Sequence, residues 1–236
     1  EPEKQRQIIA AEPVRIIGST LRKNTIQTQA QNLMRQCLME TSKLYKRVKK
    51  VFDSYDLSSA AKEVAQIKQV GGQSARDIYD KDWGYYQFLA CMVRVLKPIQ
   101  IIELGGAWGT SALMMLSELP KESKLYTITL PEAPAYSYIT EHYPNLVKII
   151  GDDRDLSNFK CDLEKTDLWF IDSLHTKDLF TEELRLYSPF FKKGAVVLVD
   201  DIHIDPGYEE VWDSIKYDKL DISELHRPSG FGLIVI

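Results

Sequence analysis

Acidic residues end two apolar segments in the second half of the chain. DLWFID ends at Asp172, and AVVLVDD ends at Asp200 and Asp201. If these segments are neighbouring parallel strands, about 4.8 Å apart, the carboxylates meet at one edge of a sheet. Carboxylates crowded together repel one another unless a cation or protons intervene. The pattern therefore favours a hard divalent ion with oxygen ligands, Mg²⁺ first, with Mn²⁺ and Ca²⁺ as alternatives.

A histidine follows the first of these acids. His175 lies three residues after Asp172 in the segment FIDSLH. Because imidazole exchanges a proton near neutral pH, His175 is a candidate general base beside the ion. His203 and Asp205, in DDIHIDPG, are secondary candidates for substrate contact. The competing interpretation is structural, since aspartates often end strands and cap the helices that follow.

A glycine-rich segment, IIELGGAWGTS, occupies residues 101–111. Glycines after an apolar strand mark a tight turn or a close approach to the backbone. The spacing from Gly105 to Gly109 differs from G-x-G-x-x-G and from the phosphate-binding GK[ST] pattern. Glu103 also disfavours a pyrophosphate and favours a cationic group. A turn without any ligand is the competing interpretation.

The elements that position these residues alternate in type. Apolar segments typical of strands cover 99–104, 124–130, 147–151, 167–172 and 195–200. Segments with helical spacing cover 110–119, 135–143, 177–191 and 207–215. This alternation predicts right-handed βαβ units and a parallel sheet with ligands beyond the carboxyl ends of its strands. ISELHR, a PSG turn and FGLIVI predict a closing β-hairpin.

The first 80 residues have a different pattern. Helical spacing runs from Thr25 to about Tyr55, and further helices are predicted over 57–70 and 82–96. We therefore divide the chain into an N-terminal helical cap, 1–80, and a ligand-binding domain, 81–236. We expect the cap to cover the site or to form a homodimer interface. Aromatic residues at the start of the third helix are expected in the core: Trp83, Tyr85 and Tyr86.

Composition excludes several classes of protein. The 236-residue chain is 44% hydrophobic with a net charge of −4, which argues against nucleic acid as a partner. No apolar run approaches the ~20 residues of a membrane span. Three widely spaced cysteines, Cys37, Cys91 and Cys161, argue against a disulfide framework or a zinc site. They favour a reducing, cytoplasmic compartment.

Several motifs in order resemble one enzyme family. ELGGAWGTS, GDDRD, FIDSLH, VLVDD and the final hairpin are similar to motifs of class I S-adenosylmethionine-dependent methyltransferases. The resemblance is to metal-dependent small-molecule O-methyltransferases of the catechol and macrolide-sugar type. It runs from about Gly84 to Ile236. It implies a Rossmann-like α/β fold with a seven-stranded, mostly parallel sheet, a C-terminal antiparallel hairpin and a bound S-adenosyl-L-methionine.

The resemblance also implies roles for individual residues. Glu103 and Gly105 would face the methionine part of the cofactor, Gly109 and Ser111 would close the loop, and Asp153 and Arg154 would contact the adenine. The acids at the sheet edge, Asp172, Asp200 and Asp201, would bind Mg²⁺, with His175 as base. One departure concerns the ribose: the family has an acid at the end of the second strand, where this chain has Thr129. Glu132 is the acid nearest in sequence that could replace it.

The resemblance implies methylation of a hydroxyl on a small molecule with adjacent oxygens. A vicinal diol or a catechol, on a sugar or another natural product, fits a metal site. Four alternatives stay open: a metal-independent methyltransferase, a non-catalytic domain of a larger protein, a nicotinamide-dependent oxidoreductase and a non-haem iron oxygenase. The missing ribose acid and the absence of an initiating methionine support the non-catalytic domain. The glycine spacing argues against the oxidoreductase.

Overall fold

A computed structural model describes residues 40–56, 83–129, 136–225 and 229–236. Among these residues, seven strands form one sheet in the order β3-β2-β1-β4-β5-β7-β6. The strands are β1 (Gln100–Leu104), β2 (Lys124–Thr129), β3 (Leu146–Ile150), β4 (Leu168–Ile171), β5 (Val196–Asp200), β6 (Asp218–Asp221) and β7 (Phe231–Val235). The strands predicted from the sequence between residues 99 and 200 are confirmed.

Helices in the described ranges connect or cover these strands. They are α1 (40–52), α2 (Trp83–Leu96), α3 (Thr110–Leu116), α4 (Tyr136–His142), α5 (Lys177–Tyr187) and α6 (Pro206–Ser214). The sequence predicted that α5 would continue to residue 191, but it ends at Tyr187 and a short 3₁₀ turn follows. Pro189 accounts for this end, because proline cannot donate to the helical hydrogen-bond ladder. The predicted helix over 57–70 lies outside the described residues.

The strand directions create one switch point in the sheet. Strands β1 to β5 pair in parallel, and β7 pairs antiparallel with both β5 and β6. The chain runs from β1 outward to β3 and then returns to place β4 on the other side of β1. Ligands bind beyond the carboxyl ends of strands at such a point. The glycine-rich turn after β1 and Asp172 after β4 therefore lie side by side.

Apolar residues on both faces of the sheet form the core. All residues of β1, β4 and β5 are buried, as expected for parallel strands covered by helices on both sides. Helix α1 contributes Leu44 and Val48 to one face, where Tyr85 and Phe231 also pack. Tyr85 and Tyr86 are buried, which confirms their expected place in the core. The described part of the chain contains no helix with the length and apolar character needed to cross a bilayer.

The C-terminal hairpin differs in its first strand from the prediction. ISELHR was expected to form that strand, but β6 covers Asp218–Asp221 and residues 222–225 form a turn. The backbone N–H of Ser223 donates to Asp221 Oδ1, and this local bond turns the chain out of the sheet. Thr41 of α1 donates from its backbone and its hydroxyl to the Asp218 carboxylate. Helix α1 therefore covers the outer strand of the sheet.

Candidate functional site

The turn after β1 is held between two strands by its glycines. The backbone N–H groups of Gly105 and Gly106 both donate to the Ile128 carbonyl, at 3.1 and 3.0 Å. Gly105 has a φ of +91°, and a Cβ there would lie 1.9 Å from the carbonyl oxygen of Asp172. Gly109, with a φ of +80°, is the N-cap of α3. The glycine cluster thus brings the turn into contact with the backbone at the end of β4.

We expect Gly105→Ala to destabilise the fold by about 3 kcal/mol or more, because the new methyl group collides with backbone atoms in a left-handed conformation. Gly194→Ala is the matched control: its φ is +83°, but a Cβ there would meet no atom within 4 Å. Urea unfolding followed by circular dichroism measures both. Equal losses in the two variants would mean that backbone strain alone, and not the packing of the turn against β4, accounts for the effect.

Glu103 and Ser111 lie in the interior beneath the turn. Glu103 is fully buried, and Ser111 Oγ donates to its Oε1 at 2.5 Å. Burial raises the pKa of Glu103, while the hydroxyl groups of Ser111 and Thr127 lower it. The hydroxyl of Tyr136 donates to the Gly106 carbonyl at 2.8 Å, on the same side of the turn. This network orders the turn from below.

A cavity of about 620 Å³ opens beyond the carboxyl ends of β1 to β4. It is lined by Gly105, Ala107, Ile128, Thr129, Gly151, Asp152, Asp153, Arg154, Asp172, Ser173, Leu174, Thr176, Asp178, Leu179 and Glu182. The structure therefore brings together three residues of the predicted cofactor site, Gly105, Asp153 and Arg154. The lining does not include Glu103, Gly109 or Ser111.

Charged groups on the outer wall of the cavity are paired. Arg154 donates to both carboxylate oxygens of Asp152, at 2.9 Å from Nε and 2.6 Å from Nη2. This pairing holds the pKa of Asp152 down at about 2. Thr129, in register with Ile150, occupies the cavity wall where the resemblance implies a ribose-binding acid. Glu132, considered as its replacement, lies outside the described residues.

The acids after β4 and β5 meet around one histidine. Ligand atoms of Asp172, His175 and Asp200 all lie within 4.8 Å of one another. His175 Nε2 is 3.3 Å from Asp172 Oδ1, and its Nδ1 is 3.4 Å from Asp201 Oδ2. The imidazole thus lies between carboxylates of two strands. The acids that were predicted to meet at one edge of the sheet therefore lie close together in the structure.

Asp200 and Asp201 are held in different ways. Asp200 is fully buried at the end of β5, and Asp201 follows with a φ of +56°. The backbone N–H of Asp201 donates to the Gly230 carbonyl at 2.9 Å, and the hydroxyl of Ser229 donates to its Oδ1. The loop before β7 therefore fixes Asp201 with its second oxygen toward His175.

The residues present fit a divalent cation. Among the described residues, His175 Nε2 is buried and has no hydrogen-bond partner, and its 3.3 Å contact with Asp172 Oδ1 is an ion pair. A buried polar atom of this kind is costly unless a further group satisfies it. The carboxylate oxygens of Asp172 and Asp200 suit Mg²⁺ or Mn²⁺. In this arrangement His175 can serve as a ligand as well as a base.

Three residues near this edge were not identified from the sequence as part of the site. Tyr85 donates to Asp172 Oδ2 at 3.2 Å. The ring of Tyr208 lies 5.8 Å from that of His175, and its buried hydroxyl has no hydrogen-bond partner among the residues that the structure describes. Glu183 is buried behind Ser173. Tyr85 was expected in the core rather than at the site, and no motif marks the other two.

The secondary candidates after β5 make structural contacts. Asp205 caps α6 by accepting from the N–H groups of Gly207 and Tyr208. His203 contacts Glu209 Oε1 through Nδ1 at 3.0 Å and Asp221 Oδ2 through Nε2 at 2.8 Å. The hydrogen bond to Asp221 and then the bond to Glu209 raise the pKa of His203. Of the remaining histidines, His142 lies on the surface against Tyr138, and His226 lies outside the described residues.

His203→Gln is expected to lower the free energy of unfolding by about 0.5 kcal/mol at pH 6, a small effect because the pairs are solvent-exposed. A raised pKa in the folded state stabilises the protein below the unfolded value, about 6.5, and that contribution is lost as pH rises through the folded value. The difference between the two proteins should therefore vanish by pH 9. Urea unfolding at both pH values tests this, with His142→Gln as control. A difference that persists at pH 9 would contradict it.

Solved structures of O-methyltransferases share this fold. The Bacillus cereus O-methyltransferase in complex with SAH superposes with a TM-score of 0.57 at 19% identity, over 80% of this chain and 96% of that one. The O-methyltransferase TomG of Streptomyces achromogenes, in complex with SAM, gives a TM-score of 0.55 at 19% identity, over 81% of this chain and 96% of that one. These likenesses concern the fold.

Sequence comparison covers the glycine-rich turn and the sheet edge formed by Asp172, Asp200 and Asp201, which we call the acidic edge. A family model described as "Methyltransferase domain" matches residues 102–202. Catechol O-methyltransferase of Mus musculus is 29% identical over 133 residues, which are 51% of this chain and 48% of that protein. Residues 102–202 thus match a methyltransferase domain in sequence, and the sheet has the fold of the O-methyltransferases named above. The chain spans about half the length of the mouse relative that it matches.

Proposed function

We propose that the protein transfers the methyl group of S-adenosylmethionine to a hydroxyl of a small molecule, with a divalent cation at the acidic edge. The observation that carries the proposal is the position of Asp172. This residue lines the 620 Å³ cavity and also belongs to the cluster with His175 and Asp200. A cofactor in the cavity and an acceptor at the cluster would therefore meet at one carboxylate.

The cavity supports the cofactor part of the proposal. Its wall combines the turn at Gly105, whose backbone is held against β4, with Asp153 and Arg154 after β3. The turn lets a ligand approach the main chain closely, which is a usual role of glycine. The mouse relative and the solved structures named above support the same cofactor.

The cluster supports the chemistry of the acceptor. An alcohol is a poor nucleophile at neutral pH and must lose its proton during transfer. Bound at Asp172 and Asp200, Mg²⁺ would supply positive charge that stabilises the ionised oxygen. His175 is placed to take the proton, and Tyr85 holds Asp172 by its hydrogen bond at 3.2 Å. Such a site favours acceptors with two adjacent oxygens, such as a catechol or a vicinal diol on a sugar or another natural product.

A second function is favoured by one observation. Thr129 stands in the cavity wall where the family pattern has an acid for the ribose. A non-catalytic or metal-independent S-adenosylmethionine-binding domain of a larger protein would tolerate weaker ribose binding. The domain boundary at residue 80, a homodimer through the N-terminal helices and a cytoplasmic location stay predictions from the sequence.

Calorimetric titration with S-adenosylmethionine, in the presence of Mg²⁺ and then of EDTA, tests the proposal. We expect micromolar binding in both buffers and a separate heat of Mg²⁺ binding that Asp172→Asn removes. An acceptor screen with catechols and diols would follow. Cofactor binding without Mg²⁺ binding would favour the second function, and no cofactor binding in either buffer would overturn both.

A further inference from the structure

A buried acid lies behind the cofactor cavity and is not used by the proposed chemistry. Glu183, in the middle of α5, has no exposed surface. Ser173 Oγ donates to its Oε1 at 2.5 Å, whereas no donor of the described residues reaches Oε2. A fully buried carboxylate with an unsatisfied oxygen would be costly, so its protonation state must be considered.

The second partner of Glu183 is another carboxyl group. The carboxyl groups of Glu183 and Asp153 are close enough to share a hydrogen bond. Two carboxylates cannot do this unless one of them carries a proton. Burial first, and then the nearby Asp153 charge and hydrogen bond, raise the pKa of Glu183 to about 8. Burial and the neighbouring Asp152 raise the pKa of Asp153 too, while the hydrogen bond with Glu183 and the charge of Arg154 act in the opposite direction. Because Glu183 is fully buried and Asp153 only partly, we assign the proton to Glu183 as donor and the charge to Asp153 as acceptor.

Both partners of Glu183 belong to the wall of the cavity. Ser173 follows Asp172 at the end of β4, and Asp153 follows β3. Asp153 is held at its backbone too, because the hydroxyl of Tyr187 donates to its carbonyl oxygen. A single side chain of α5 thus connects the two loops that enclose the space between β3 and β4.

We propose that Glu183 is a positioning residue of the cofactor cavity, which as a neutral carboxylic acid joins Ser173 to Asp153 and, when it ionises, weakens cofactor binding. The inference rests on the proposed binding of S-adenosylmethionine. On ionisation the hydrogen bond to Asp153 becomes a repulsion between two carboxylates in a buried place. The two loops then separate, and the adenine side of the cavity loses its fixed geometry.

Other titratable groups lie around Glu183. Asp172 at the end of β4 is a further negative charge that acts on it. Burial raises the pKa values of Tyr187, on the same helix, and Tyr208, on α6, and the Glu183 charge raises them further. Both phenols are therefore neutral. The negative charges of Asp153 and Asp172 therefore disfavour the ionised form of Glu183.

Two variants distinguish the effect of the Glu183 proton from the effect of side-chain packing. Glu183→Gln keeps the shape, an acceptor for Ser173 and a donor for Asp153, but it cannot ionise. Glu183→Ala removes both hydrogen bonds. Glu164→Gln, at an exposed position, is the control for the loss of one acid. Thermal unfolding by circular dichroism establishes that each variant is folded at the temperature of the binding measurements.

The measurement is calorimetric titration with S-adenosylhomocysteine, in EDTA so that no metal contributes, at pH 7 and pH 9. For the unaltered protein we expect the dissociation constant to rise about tenfold between these values, as ionisation with a midpoint near 8 requires. Glu183→Gln should bind within about threefold of the unaltered protein at pH 7 and should lose the pH dependence. Glu183→Ala should bind about tenfold more weakly at pH 7.

The outcomes distinguish this inference from the proposed function. If Glu183→Gln retains the tenfold pH dependence, or if Glu183→Ala folds and binds normally, the inference is wrong while cofactor binding stands. If the unaltered protein does not bind S-adenosylhomocysteine at either pH, the proposed function fails and the inference fails with it. Loss of the pH dependence in Glu164→Gln as well would also contradict a specific role of Glu183.

Discussion

Asp172→Asn should lower the turnover of methyl transfer by at least about 100-fold, while S-adenosylhomocysteine binds within about threefold of the unaltered protein. The amide keeps the shape of the side chain and can still pair with Tyr85, whose hydroxyl lies 3.2 Å from Oδ2. It removes one negative charge from the cluster with His175 and Asp200. The backbone of residue 172, which the turn at Gly105 contacts, is unchanged. The loss should therefore fall on metal binding and turnover.

Steady-state kinetics with a catechol or diol acceptor that the screen identifies, at several Mg²⁺ concentrations, measures this effect. Asp213→Asn removes an exposed acid from α6 and is the matched control. Excess Mg²⁺ should restore part of the lost turnover if the charge acts through the ion. Undiminished turnover of the unaltered protein in EDTA would contradict the metal-assisted mechanism. Asp172 would then act only through Tyr85 and the turn.

The sequence predicted the sheet well because its strands are continuous apolar segments bounded by turns. For example, a central parallel strand is one of the few conformations in which every side chain of AVVLVD is buried. The hairpin was less predictable. ISELHR alternates in a strand-like way, but the Asx turn at Asp221 ends β6 before it begins. A local side-chain hydrogen bond here outweighs the pattern, since strand propensity depends strongly on context.

The acidic edge was predictable, and the residues that support it were not. Asp172 and Asp200 lie at the ends of neighbouring parallel strands. Strand pairing therefore brings them together independently of how the helices pack. Tyr85 and Glu183 reach this edge from α2 and α5, and their contacts depend on how those helices pack against the sheet. Tyr85 has the spacing of an ordinary core residue, and it is one: its ring is buried while its hydroxyl meets Asp172. Periodicity cannot separate these two roles.

His175→Gln should lower turnover by a factor of about 10² to 10⁴, the range that a positioned proton acceptor contributes. Glutamine retains polar contacts with Asp172 and Asp201 but cannot accept the proton of the acceptor hydroxyl. The deficit should shrink as pH rises, because hydroxide in solution removes that proton instead. Turnover from pH 6 to 10 measures this, with His142→Gln as a surface control that should behave like the unaltered protein.

The same variant separates a base from a metal ligand. His175 lies within 4.8 Å of the ligand atoms of both Asp172 and Asp200, so the geometry permits either role. A base acts on the acceptor, and its loss should leave the affinity for Mg²⁺ nearly unchanged. A ligand binds the ion, and its loss should weaken that affinity by about tenfold or more. Weakened Mg²⁺ binding together with turnover that saturating Mg²⁺ restores would contradict the base. In that case the neighbouring Asp201, 3.4 Å from Nδ1, orients a ligand rather than an imidazolium.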